Sequence, residues 1–161
     1  MMDGRPVQES PGSRSSTELL QERLFDQQRA GLTRLAFLLT DSRPIAEELV
    51  QDAFEQVVRR WDVIHSPAGY VRTAVISGAK SWGRRKTRPT LERREVVSLD
   101  EEAVAVRSEL ASLPHNQREV IVLRYFAGLS DSQIAVELDQ PIGTVKSHLR
   151  RGLEQMRKAF T

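Results

Sequence analysis

The sequence predicts an all-α protein made of two small helical domains joined by a flexible linker. Three observations carry that reading. Apolar residues recur at three- and four-residue spacing along most of the chain, and no stretch sustains the period of two that a strand requires. Turn and helix-start signals separate these periodic segments at short intervals. Between about residues 86 and 99 the periodicity lapses and positive charge accumulates, which divides the chain in two.

Residues 1–16 are rich in Gly, Pro, Ser and charge and have little to bury, so they read as a disordered tail. A first helix is expected from about Thr17 to Leu39, on Leu24, Leu32, Leu35, Ala36 and Leu39, with Gly31 as a local weak point. Thr40-Asp41-Ser42-Arg43-Pro44 supplies capping side chains and a proline suited to a first helical turn. The helix that follows carries Ile45, Leu49, Val50, Ala53, Phe54, Val57, Val58 and Trp61 as a broad apolar stripe. Ser66-Pro67 repeats the start signal. Val71, Ala74, Val75, Gly78, Ala79 and Trp82 then give a third helix with a small-residue face that permits close packing. The first domain therefore spans 17–85.

The linker, 86–99, contains Lys86, Arg88, Arg93, Arg94 and Pro89. The second domain, 100–161, opens with a helix from about Asp100 to Leu113, stopped by Pro114. The next helix carries Val120, Ile121, Leu123 and Phe126 and is closed by Gly128. Two more follow, over Asp131 to Leu138 and about Ile142 to Phe160.

Composition narrows the function. The 161 residues are 39% hydrophobic and 29% charged, which is a globular balance, and 24 basic against 22 acidic residues leave a net charge of only +2. Bulk charge therefore does not single out a nucleic-acid binder, and the placement of charge decides. With no cysteine there are no disulfides and no thiolate sites, as suits a reducing cytoplasm. No apolar run approaches the ~20 residues of a membrane helix, and the polar start lacks the apolar stretch of a secretory signal. The chain offers no carboxylate cluster, Gly-rich phosphate loop or nucleophile with a base, so no enzyme, cofactor or metal site is expected; His65 has no second ligand at a supporting spacing.

The strongest local pattern is Leu129 through Leu138, a short turn, then Ile142 through Arg151. It scans as a helix-turn-helix: Ala135 is small where the helices cross, and Ile134, Leu138, Val145 and Leu149 anchor the second helix. Along that helix Val145, Leu149, Leu153, Met156 and Phe160 form an inward stripe, which leaves Thr144, Lys146, Ser147, His148, Arg150 and Arg151 largely outward. Such side chains can reach base edges and phosphates in a major groove. Ser130 and Ser132, at the start of the preceding helix, offer hydroxyls and free backbone donors to a phosphate. Helix pairs of this pattern also pack in proteins that bind no DNA.

The run Leu113-Pro114-His115-Asn116-Gln117-Arg118-Glu119-Val120-Ile121-Val122-Leu123-Arg124-Tyr125-Phe126-Ala127-Gly128-Leu129-Ser130, followed by Gly143-Thr144-Val145-Lys146-Ser147, resembles region four of RNA polymerase sigma factors. By position, the resemblance gives the helix bearing Lys146 to Arg151 the reading of the minus-thirty-five element. Glu48-Leu49-Val50-Gln51-Asp52-Ala53-Phe54 is similar to the region-two helix that grips the coiled coil of the polymerase's largest subunit. This implies polymerase contacts for Glu48, Leu49, Gln51, Asp52, Phe54 and Glu55. Tyr70 through Arg85 resembles the family's melting helix, and the loop before it the segment that selects a flipped base. Minus-ten contacts are thereby implied for His65, Tyr70, Arg72, Ser77, Lys80, Trp82, Arg84 and Arg85. Three departures stand out. The turn reads Asp139-Gln140-Pro141 where the family commonly has glycine, Ser77 replaces a frequent asparagine, and His148 and Arg150 occupy positions that vary with the promoter read.

The whole resembles an extracytoplasmic-function sigma factor of the actinobacterial sigma-E type. The expected partners are core RNA polymerase, through its largest-subunit coiled coil and its flap, promoter DNA and an anti-sigma protein, with no membrane and no small-molecule substrate. The competing readings are a stand-alone helix-turn-helix regulator and a helical adaptor that binds only protein.

Overall fold

The structure is a computed structural model that describes residues 14–85 and 101–161. Among these residues are seven α-helices, one short 3-10 turn and no strand. The helices are α1 (Ser16–Thr40), α2 (Arg43–Arg59), α3 (Pro67–Arg85), α4 (Glu101–Ser112), α5 (His115–Tyr125), α6 (Asp131–Leu138) and α7 (Ile142–Ala159). The linker and most of the tail lie outside the described residues.

Caps set most of these boundaries. Ser15 begins α1 with a reciprocal capping box, its hydroxyl accepting from the Glu18 N–H while the Glu18 carboxylate accepts from the Ser15 N–H. Arg14 pairs with Glu22 at 2.7 Å. The tail as drawn from composition is thus two residues too long: Ser15 and Ser16 belong to a helix start, a role that Ser-rich composition hides. Gly31 does not interrupt α1. Ser42 caps α2 with Pro44 in the first turn. Trp61 leaves that helix for a 3-10 turn, Trp61–Val63, and Val58 is half exposed, so the α2 stripe is narrower than its periodicity suggests. Gly128 closes the α5 segment at φ +69°, which is open to glycine at little cost.

The turn between α6 and α7 accounts for the missing glycine. Asp139 takes the left-handed conformation itself, φ 52° and ψ 51°, and its N–H donates to the Ala135 and Val136 carbonyls. Asp and Asn tolerate this region better than other non-glycine residues. Asp139→Gly is expected to keep stability or raise it by up to ~1 kcal/mol, whereas the β-branched Asp139→Val should lower it by ~1–2 kcal/mol. Thermal unfolding of the two variants checks the order, and equal melting temperatures would remove the backbone argument.

Helices α1, α2 and α3 pack on one another around Leu32, Ala36, Val50, Ala53, Phe54, Val57, Val71 and Val75. Helices α5, α6 and α7 form the second group, with α4 lying against α1 and α7. The two helical groups do not stand apart. One apolar cluster joins Leu35 and Leu39 of α1 and Ile76 and Ala79 of α3 to Val120, Val122 and Leu123 of α5, Leu129 of the loop after it, Ile134 and Leu138 of α6, and Val145 of α7. A polar rim reinforces it on the α4 side: Arg107 lies 3.6 Å from the Asp41 carboxylate and stacks its guanidinium 4.3 Å from the Phe37 ring centroid.

Candidate nucleic-acid interface

Helix α7 is seated by small and apolar residues on its inner side. Val145 and Gly152 are buried, and a Cβ at position 152 would approach Ile121 Cδ1 to 2.6 Å, so α5 and α7 come closer than any larger residue there allows. Leu149, Leu153 and Met156 are half-buried, as the stripe predicts. Phe160 is not part of it: it is 54% exposed, just beyond the end of α7 at Ala159. On the opposite side Lys146, Arg150 and Arg151 are exposed, and Thr144 and Ser147 sit at the margin. The result is a cationic helix face beside a sharp helix-turn-helix, with the dimensions and charge to enter a major groove.

Two predicted contacts are changed by local hydrogen bonding. Ser130 accepts from the Gln133 N–H at 3.2 Å, and the Gln133 side chain accepts from the Ser130 N–H at 2.9 Å. The cap therefore consumes two backbone donors that the sequence reading left for a phosphate. Ser132 remains exposed. His148 is half-buried, with its Nε2 3.3 Å from the Asn116 amide of α5, so it is tied to its own domain rather than projected outward. Arg124, which sequence reasoning passed over, positions this unit: it donates to the Leu129 carbonyl at 3.1 Å and lies 3.9 Å from Asp131. A conspicuous charge at the end of an apolar helix was the available signal.

On α3, Tyr70, Ser77 and Arg84 step by seven and share one face, with Thr73 and Lys80 beside them. Arg72 and Trp82, each two residues from a member of that row, lie on the other side and are half-buried. Tyr70 packs on the α1–α3 core and its hydroxyl accepts from Arg60 at 3.1 Å. Arg84, Arg85 and Ser77 are exposed, as is His65 in the preceding loop. Lys80 is engaged elsewhere: its Nζ donates to the Leu138 carbonyl of α6 at 2.6 Å.

On α2 the polymerase-facing set separates by burial. Glu48, Gln51, Asp52 and Glu55 form an exposed acidic and polar row. Phe54 does not belong to it. It is 5% exposed, its ring centroid 4.7 Å from that of Phe25, because its spacing from Val50 and Val57 places it on the core stripe. Leu49 is half-buried against α3, where Gly78 leaves room for it.

The most perturbed groups lie where the two helical groups meet. Burial pushes the Glu119 carboxyl up to about 7, although the charges of Lys80, Arg84 and Arg118 draw it back down. Burial, helped by Arg118, lowers the neighbouring His115 imidazole below its ordinary value. Glu119 titrates above its unfolded value, so its contribution to stability is complete below about pH 4.5 and is lost as pH rises through about 7. Glu119→Gln is thus expected to change stability little at pH 4.5 and to raise it by on the order of 2 kcal/mol at pH 8. Denaturant unfolding at both pH values tests this, and a gain independent of pH would contradict it.

Among the described residues no group of three or more His, Asp or Glu side chains is placed to hold a metal ion, and no helix is long and apolar enough to cross a membrane. Residues 103–156 match the family model Sigma-70, region 4. Over 162 residues the chain is 27% identical to the ECF RNA polymerase sigma factor SigL of Mycobacterium tuberculosis, covering 91% of this chain and 92% of that one. The chain thus contains a match to sigma-70 region 4 and is similar over most of its length to ECF RNA polymerase sigma factors. A second relative is the RNA polymerase sigma-E factor of Streptomyces coelicolor, 29% identical over 141 residues, 79% of this chain and 78% of that one. The fold of this chain matches that of the sigma factor RpoE from Bartonella quintana, solved in complex with the anti-sigma factor NepR. The TM-score is 0.67 at 20% identity, over 89% of this chain and 97% of that one. Sigma factors are not enzymes in the catalytic sense.

Proposed function

We propose that this chain is an ECF sigma factor that binds core RNA polymerase and directs initiation at promoters read through two elements, with α7 on the minus-thirty-five duplex and α3 on the opened minus-ten strand. The observation that carries the reading is the exposed Lys146, Arg150 and Arg151 face of a seated recognition helix in a chain whose other helical group presents a separate acidic row for protein contact. In this reading residues 15–85 serve polymerase docking and strand capture, 86–99 the tether, and 100–161 the upstream element. Neither unit need bind tightly alone, because tethering raises the effective concentration of the second contact. An anti-sigma protein is a further partner, and the cytoplasm is the compartment in which these partners meet.

In vitro transcription with core polymerase on a genomic DNA library tests the whole reading. Start sites sharing two spaced elements are expected; no initiation above core alone overturns it. Asp52→Lys should lower core affinity at least ten-fold in a pull-down, since it reverses charge at the centre of the exposed α2 row. Wild-type retention would remove that row from the contact. A stand-alone regulator would instead self-associate and shift palindromic duplex DNA without polymerase.

A further inference from the structure

His148 stands at the edge of the exposed cationic side of α7, one turn before Gly152. Helices α5 and α7 approach closely at that glycine, where a Cβ would lie 2.6 Å from Ile121 Cδ1 and 3.3 Å from Gln117 Cβ. The close approach brings the first turn of α5 alongside His148, and Asn116 meets it there, its Nδ2 3.3 Å from the His148 Nε2. The other ring nitrogen, Nδ1, is enclosed and has no hydrogen-bond partner among the described residues. Whichever nitrogen carries the proton of the neutral ring, one is turned to Asn116 and the other is sealed off, so the imidazole presents nothing to a base edge. Lys146, Arg150 and Arg151 on the same helix stay exposed.

We infer that Asn116 is a positioning residue for promoter preference: it holds His148 against α5 and keeps that ring out of base reading, which leaves the choice of bases to Lys146, Arg150 and Arg151. The inference rests on the assignment of α7 to the upstream element. Along the helix His148 stands in a row with Thr144, four residues before it, and Arg151, three residues after it. From that row a side chain can lean back onto α5 or out over the groove. A single hydrogen bond between neutral groups sets the choice, and it leaves Nδ1 unsatisfied in an enclosed place, where an unpaired polar atom is costly. A ring released from Asn116 gains a partner, because its N–H suits the N7 acceptor that both purines present in the major groove. Asn116 thus acts through the ring and not by a promoter contact of its own.

Holoenzyme assembled from core polymerase and the full chain is supplied with a native promoter randomised across its upstream element, and the transcripts are sequenced for wild type, Asn116→Ala, His148→Ala and the double variant. Asn116 is exposed in the first turn of α5, where alanine favours the helix. Wild type and His148→Ala should give the same base profile, since the held ring reads nothing. Asn116→Ala should gain a preference of about five-fold or more for a purine over a pyrimidine at one position of the element, and the double variant should return to the wild-type profile. A merely structural role for Asn116 would instead lower initiation evenly across bases, with no new preference and no dependence on His148. An unchanged profile for Asn116→Ala, or a new preference that survives in the double variant, overturns the inference. Loss of discrimination in His148→Ala alone also overturns it, because the ring would then already read the element. If wild-type holoenzyme initiates without preference at every randomised position, or does not initiate, the assignment of α7 to upstream reading itself falls, and the role of Asn116 with it.

Discussion

Replacing Arg150 and Arg151 together with alanine is expected to reduce transcription from a promoter dependent on its upstream element by about 100-fold, with retention on core polymerase unchanged. A well-placed arginine contact to a base edge or phosphate contributes ~1–3 kcal/mol, and both side chains are exposed on the helix that Val145 and Gly152 fix against the domain. Neither arginine belongs to a core cluster, so the loss comes without unfolding. The salt dependence distinguishes phosphate from base contacts: each lost phosphate contact should reduce the slope of log affinity against log salt by ~1. Run-off transcription across a salt series, with a pull-down in parallel, measures both. Undiminished transcription would move promoter reading off α7.

The second large effect concerns the shared core. Ile76→Ala should cost ~2–4 kcal/mol, the range for truncating a fully buried aliphatic side chain, since Ile76 has no exposed surface. Because Ile76 lies in α3 while most of its cluster comes from α5, α6 and α7, the loss is expected across both helical groups in one transition. Val57, by contrast, lies in the cluster confined to α1, α2 and α3. Hydrogen exchange followed by mass spectrometry reads the difference: Ile76→Ala should raise exchange in α5 and α6 as well as in α3, whereas Val57→Ala should act mainly on the N-terminal group. If Ile76→Ala left α5 and α6 as protected as in the wild type, the two groups would be energetically independent.

Much of the fold was legible because its signals are local. Ser42 with Pro44, Ser130 with Gln133, and Gly128 define helix ends by side chains within a few residues of one another, and α6 falls on its expected span of Asp131 to Leu138. The seating of α7 was equally readable from Val145, Leu149 and Leu153. The readings that failed concern residues on which two local patterns compete. Phe54 fits both the apolar stripe and the family's polymerase-facing segment, and burial decided for the stripe. Ser130 fits both a phosphate site and a capping box, and the box consumed its donors. The packing of one helical group on the other was illegible for a different reason. Ile76, Ala79 and Leu39 read as ordinary core positions of their own helices, and nothing in a periodicity says whose core they complete. Lys80 and Glu119 show the same limit for charge, since their partners are 58 residues away in one case and on another helical group in the other.

The two halves meet across side chains fitted to each other, and this constrains how such proteins can be recombined. A chimaera that couples these first three helices to the upstream-reading half of a different relative inherits mismatched surfaces at Leu35, Leu39 and Ile76, and a larger residue in place of Gly83 would hold the halves apart. Swapping promoter preference by exchanging whole halves should therefore succeed only when the facing residues travel with the graft, whereas exchanging the outward residues of α7 alone leaves the junction intact.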